Sequence, residues 1–310
     1  MVARALLSCF VLASIHPFCA ADAVVRSNQT SAQTPAAERS AQKSNSQQST
    51  ASDQKIVDWT PELELKLGRT YAPSMESHYK MVHDPVVSEY ASSIVKRLAE
   101  GCDAKFEFAT KIIDSDKIDA IVLPGGFLFV SSGLMMAAEE EDNLAGAMAH
   151  MIAHICAHHT IRSITQKQLE DAVKPLPKIS INGGVCCLAP PLSFLTFLTS
   201  FSPEFEAEAD VLALRLLDKA GYDPKALEPS LTGLNNNSGL LNRSPSAHAL
   251  SPERLRKLHK AAKGLRGHER YLVTTSEFDQ VKGRLVLISS RRAAVIQQNS
   301  PRRPAASHQN

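Results

Sequence analysis

Two histidines stand at positions i and i+4 in the segment His150-Met151-Ile152-Ala153-His154. On a helix this spacing puts both imidazoles on one face, about one turn apart, where they can reach a single metal ion. When such a pair holds a hydrolytic zinc ion, the residue after the first histidine is Glu. Its carboxylate takes the proton from metal-bound water. Here that position is Met151, a thioether that accepts no proton near neutral pH. The pattern is equipped for binding a metal and poorly equipped for hydrolysing with it.

A histidine pair at this spacing is more often ordinary surface or core, so a third donor decides. The acidic segment Glu204-Phe205-Glu206-Ala207-Glu208-Ala209-Asp210 supplies one on a second helix. Catalytic zinc commonly takes two His and one carboxylate and keeps its fourth position for water. Asp210 lies at i+4 from Glu206, on the same face, and can accept the second N–H of a ligand histidine. Glu208 lies about 200° round the helix from Glu206 and is a poor stand-in for a missing base. His158 and His159, one or two turns beyond His154, would reach the metal-bound water only by luck. The run Glu139-Glu140-Glu141-Asp142 favours the N-terminus of the histidine helix through the helix dipole, and reads as a solvated cap.

At this point the chain resembles the BepA/HtpX-like zinc metallopeptidases, gluzincins that include the CAAX prenyl endopeptidases. The resemblance runs from about Ile56 to His259. It rests on LPGGFLFVSSGLM (Leu123–Met135), EDNLAGAMAHMIAHICAHH (Glu141–His159), SPEFEAEADVLALRLLDKAGYDP (Ser202–Pro224) and SAHALSPERLRKL (Ser246–Leu258). It implies an α+β fold, a helix-rich zincin-like domain with a small sheet and an edge strand beside the active-site helix. It also implies one zinc ion per chain on His150, His154 and Glu206, with Asp210 as the supporting carboxylate. Leu123-Pro124-Gly125-Gly126 would begin the edge strand, where an extended peptide could pair. His248 matches a histidine that can reach the metal from a mobile loop. Polypeptide substrates or clients, and envelope or membrane-associated partners, follow from the same resemblance. The departures are Met151 at the position of the catalytic Glu, His158 where Arg is common, and Asp119 where Asn is usual. They leave two functions open: an exported zinc metalloendopeptidase of envelope protein quality control, or a zinc-holding pseudopeptidase that binds extended chains as a chaperone or adaptor.

The elements that must position these groups carry clear punctuation. Thr60-Pro61 and Asp84-Pro85 have the form of an N-cap followed by Pro at the first helical position, opening helices to about Tyr79 and Ala99. Lys105–Ile113 and Ala120–Ser131 are strand-like, the second broken at Pro124-Gly125-Gly126. Asp142 or Asn143 is expected to cap the histidine helix, which would run to about His159. Pro203–Ala220 reads as a helix closed by Gly221, Ser251-Pro252-Glu253 opens another, and Tyr271–Ile288 reads as short strands or a helix. Val185–Phe201 is apolar but split by Pro190-Pro191 and short for a span, so it is expected to be buried or to cover the cleft.

Of the 310 residues, 44% are hydrophobic and 21% charged, an ordinary globular composition. Residues 1–23 read as a secretory signal peptide, with Arg4 followed by an apolar core and small residues near Ala21. This places the chain in a secreted or periplasmic setting. Residues 24–55 are polar and lack aromatic residues, Leu and Ile, the mark of a flexible linker. Residues 56–290 then form the zinc peptidase-like domain, and 291–310, with four Arg and no acid, a disordered basic tail. A mildly acidic body between basic ends is no nucleic-acid footprint. No C-x-x-C spacing occurs, and Cys156, set among apolar residues, is expected to be a buried free thiol.

Overall fold

The structure, a computed structural model, describes residues 60–172, 174, 178–181, 184–187, 198–235, 240, 250–265 and 267–299. The expected signal peptide, the whole of the linker, Pro190-Pro191 and His248 lie outside these residues.

Helices α1 (Pro61–His78) and α2 (Pro85–Ala99) start where the Pro-bearing caps place them. Thr60 Oγ1 accepts from the Leu63 N–H at 3.2 Å, and Asp84 Oδ1 accepts from those of Val86 and Val87 at 3.0 and 3.2 Å. Each cap satisfies amide donors that the first helical turn leaves without partners. Strands β1 (Ala109–Ile113), β2 (Ala120–Leu123) and β3 (Phe127–Ser131) form one sheet of order β1-β3-β2. β1 runs parallel to β3, while β2 and β3 pair antiparallel with Leu123 opposite Phe127.

The Leu123–Gly126 segment differs from expectation. Leu123 closes the edge strand β2, and Pro124-Gly125-Gly126 form the turn into β3. Gly125 and Gly126 have φ of 74° and 88°, the left-handed region that glycine enters without a steric cost. The turn is pressed on α1, and a Cβ on Gly125 would lie 2.6 Å from Leu65 Cα. Alternate sheet residues serve two apolar clusters. Ile112, Val122, Leu128 and Val130 join one, while Ile113, Ile121, Leu123 and Phe129 join the other.

After α3 (Ser132–Ala137), α4 (Glu141–Cys156) carries the two histidines. Apart from Asn143 it is buried from Glu141 to Ile155, as a helix apolar on nearly every side must be. Its cap is Glu140 rather than Asp142 or Asn143, and the Glu140 N–H donates to Asn143 Oδ1 at 3.4 Å. The acidic run is only partly solvated. Glu141 and Asp142 are buried, and Glu141 accepts from Tyr222 Oη at 2.6 Å and also from Thr275 Oγ1. Those donors arrive from distant sequence, so local reading gave Glu141 no partner.

The histidine helix also stops earlier than expected. It ends at Cys156, His158 takes a left-handed conformation (φ 54°), and α5 (His159–Ser163) sets off in a new direction. Nor is Cys156 a free thiol. α2 and α4 pack together, which brings Cys102 just past α2 to the end of α4, and the two cysteines form a disulfide with Cα atoms 5.7 Å apart.

α6 (Gln166–Ala172) and a hairpin of β4 (Lys178–Ile181) and β5 (Gly184–Cys187) follow. β5 is the only described strand of the apolar Val185–Phe201 stretch, most of which lies outside the described residues. Helix α7 (Pro203–Ala220) packs along α4, capped by Ser202 and closed by left-handed Gly221. A short 3-10 turn (Pro224–Ala226), α8 (Leu227–Asn235), α9 (Pro252–Ala262) and α10 (Ser276–Asn299) complete the fold. α10 replaces the strands allowed for Tyr271–Ile288 and runs nine residues into the expected basic tail. Within this extension Arg292 pairs with Asp114 at 2.5 Å and with Asp116. Among the described residues no helix is long and apolar enough to cross a membrane.

Candidate metal centre

α4 and α7 bring His150, His154 and Glu206 together, with one potential ligand atom of each lying within 4.8 Å of the others. All three are buried. The two Nε2 atoms are 3.1 Å apart. Glu206 Oε2 lies 3.3 Å from His150 Nε2, and Oε1 lies 3.6 Å from His154 Nε2. The glutamate stands in the first turn of α7, which packs along α4.

A second set of groups fixes these three. Asp210 Oδ1 is 3.1 Å from His150 Nδ1. Arg254, at the start of α9, holds Asp210 at two points, Nε to Oδ2 at 2.5 Å and Nη2 to Oδ1 at 2.8 Å. Its Nη2 also reaches Glu206 Oε2 at 3.0 Å. Burial alone would raise the pKa of the Asp210 carboxyl, but hydrogen bonds from Arg254 and His150 hold it below the ordinary value. Burial likewise disfavours a proton on His150, yet Asp210 and Glu206 outweigh it and raise its pKa. On the other side, His159 Nδ1 is 2.9 Å from His154 Nδ1 and the His159 ring stacks on Phe205 at 4.5 Å. Burial pushes His159 down to about 4, so it is neutral at physiological pH. Phe201 stacks on His154 at 4.0 Å.

The donor set fits a cation. Two imidazole nitrogens that face each other at 3.1 Å need a proton or a metal between their lone pairs. Two buried carboxyl groups, Glu206 and Asp210, face one guanidinium, so the pocket is short of positive charge. Two His nitrogens and one carboxylate make the donor set of open, catalytic-type zinc sites.

The sequence from residue 85 to 262 matches the model of Peptidase family M48. The chain belongs to peptidase family M48. It is 26% identical over 219 residues to the Beta-barrel assembly-enhancing protease of Escherichia coli (strain K12), covering 66% of this chain and 44% of that one. It is 30% identical over 181 residues to the Mitochondrial metalloendopeptidase OMA1 of Schizosaccharomyces pombe, covering 55% and 52%. The Vibrio cholerae Putative beta-barrel assembly-enhancing protease is 27% identical over 212 residues, covering 63% and 43%. The chain thus spans about half or less of the length of these relatives.

M48 membership implies a metal, and the His150-His154-Glu206 cluster is where this chain has the donors for one. Such an ion would polarise a carbonyl oxygen and acidify bound water. Met151, beside His150, is 1% exposed and belongs to the apolar cluster of α4. Among the described residues no other carboxylate takes over beside His150 and His154. Glu208 turns away to a two-point contact with Arg162 at 2.9 and 3.0 Å, and the buried Glu64 is held by His158 Nδ1 at 2.8 Å. Asp119 is buried elsewhere. Its Oδ1 accepts from the Ala120 N–H at 2.9 Å and its Oδ2 from that of Leu240 at 2.7 Å.

Two site residues escaped the sequence reading. Arg254 sits in the quoted stretch SPERLRKL, but nothing local marks it as buried beside Asp210. His159 was set aside because a straight helix would carry it away from His154, and the left-handed His158 brings it back.

Proposed function

We propose that this M48 chain is an exported protein that holds one zinc ion on His150, His154 and Glu206 and engages polypeptides of the cell envelope. On this reading it acts in protein quality control, or derives from a protein that did, and hydrolyses peptide bonds poorly. One observation carries the reading: a complete His-His-Glu cradle with Asp210 and Arg254 behind it stands next to Met151, which cannot take a proton. The envelope setting is supported by the leader-like residues 1–23 and by relatives named for β-barrel assembly. His248 serves as a conditional fourth ligand that closes the open metal position. The test is zinc content and casein hydrolysis of the purified chain beside Met151→Glu. A wild type with strong zinc-dependent hydrolysis that Met151→Glu does not increase sinks the reading.

The burial of Met151 among apolar side chains favours a second reading. The chain then binds extended or unfolded polypeptides without cutting them, as a chaperone or adaptor. Client binding that persists in a Met151→Glu variant still unable to cut casein would select it.

A further inference from the structure

We propose that His159 is a positioning residue for the metal centre, accepting a hydrogen bond from His154 so that the His154 Nε2 lone pair faces the ion; this rests on His154 being a metal ligand, as proposed above. The argument is a proton count. His150 and His154 approach each other and Glu206 through Nε2. If both Nε2 atoms bind a cation, both Nδ1 atoms carry hydrogen. For His150 the acceptor is Asp210 at 3.1 Å. For His154 it is another imidazole, because His159 Nδ1 stands 2.9 Å away. Only one proton fits between two ring nitrogens at that distance, so a His154 Nδ1–H makes His159 Nδ1 the acceptor. The proton of His159 then sits on Nε2, 3.4 Å from Glu208 Oε2. Glu208 is in turn fixed by Arg162, whose guanidinium lies 4.6 Å over the Phe205 ring.

The two ligand histidines are thus supported unequally. A carboxylate locked by Arg254 polarises His150, whereas a neutral ring orients His154 and passes on only a weak pull from a half-exposed glutamate. His154 becomes the less basic and more replaceable of the two ligands.

The alternative is that His159 only fills space between α5 and Phe205, and two substitutions separate the roles. His159→Phe keeps an aromatic ring on Phe205 and removes the acceptor. His159→Asn gives up the stack but places its Oδ1 near the site of Nδ1. In the full-length protein, zinc affinity measured by competition with a chromogenic chelator should fall about 10–100-fold in His159→Phe. It should be retained more fully in His159→Asn, whatever happens to metal-free melting temperature. Wild-type affinity in folded His159→Phe, or a greater loss in Asn than in Phe, overturns the proposal. His154→Ala serves as reference. If it loses zinc while His159→Phe does not, the relay fails and the ligand set stands; if the wild type binds none, both fail. Should His159→Phe not fold, 15N NMR of the zinc-loaded wild type decides. The proposal requires hydrogen on His154 Nδ1 and His159 Nε2, and hydrogen on His159 Nδ1 overturns it.

Discussion

Arg254 and Asp210 form a two-point ion pair with both side chains almost completely withdrawn from water. Removing one partner of such a pair strands the other, and costs far more than the pair contributes as a whole. Arg254→Met should therefore lower unfolding free energy by about 3–5 kcal/mol in urea titrations. Arg254→Lys should recover only part of this, since an ammonium cannot form the fork to Asp210 and reach Glu206 as well. A Lys variant as stable as the wild type would show that charge alone matters.

Met151→Glu should raise casein hydrolysis by about 10²-fold or more if the remaining geometry is intact. The same change puts a carboxyl group where Met151 is 1% exposed. Without metal it should cost about 2 kcal/mol of stability, and zinc should return part of that. Thermal melts with and without zinc check the second half independently of activity.

Zinc should bind at one equivalent and be lost when His150, His154 and Glu206 are all changed to Ala. Metal analysis that finds stoichiometric zinc in the triple variant places the ion elsewhere. In an otherwise unaltered chain, His248→Ala should widen access of chelators and hydroxamates to the ion; unchanged affinity for both removes His248 from the site.

Asp142 gives a pH dependence away from the metal. Burial is the main cause that pushes its carboxyl up from 3.8 to about 6. The folded state therefore holds a proton that the unfolded chain releases between those values. The stabilisation is complete below about 3.8 and fades as pH rises through about 6. Asp142→Asn, which mimics the protonated form, should be more stable than the wild type by roughly 1–2 kcal/mol at pH 7 and no more stable at pH 4. An equal gain at both pH values would assign the effect to something other than this carboxyl.

The disulfide between Cys102 and Cys156 spans 54 residues of sequence. Closing a loop of that size should contribute roughly 2–4 kcal/mol, mostly by restricting the unfolded chain. Cys102→Ser and the double Cys-to-Ser variant should lose similar amounts. Reductant should lower the urea midpoint of the wild type but leave either variant unmoved.

Helix starts were legible because their signals are local. Thr60, Asp84, Ser202 and Ser251 each precede a Pro and each cap a helix through their own side chain. Glu206 and Asp210 were legible for the same reason, since one helical face is a matter of spacing. What escaped depends on a single backbone angle or on distant sequence. Nothing in the side chain of His158 announces φ 54°, so spacing alone extends α4 past its end and carries His159 away from His154. Cys102 meets Cys156, Tyr222 meets Glu141 and Arg254 meets Asp210 only after helices have packed, and no window of neighbouring residues holds both members.

The division of donors between α4 and α7 has a kinetic consequence. His150 and His154 share one helix, so the pair exists as soon as that helix forms. Glu206 arrives only when a loop of 52 residues from His154 has closed and α7 has docked. An ion offered during refolding meets two imidazoles first and gains its full hold last. Its binding energy is thus realised mainly by contacts that form late. Zinc should accordingly slow unfolding strongly while changing the refolding rate little, and a variant that weakens the α4–α7 contact should release the ion before it unfolds.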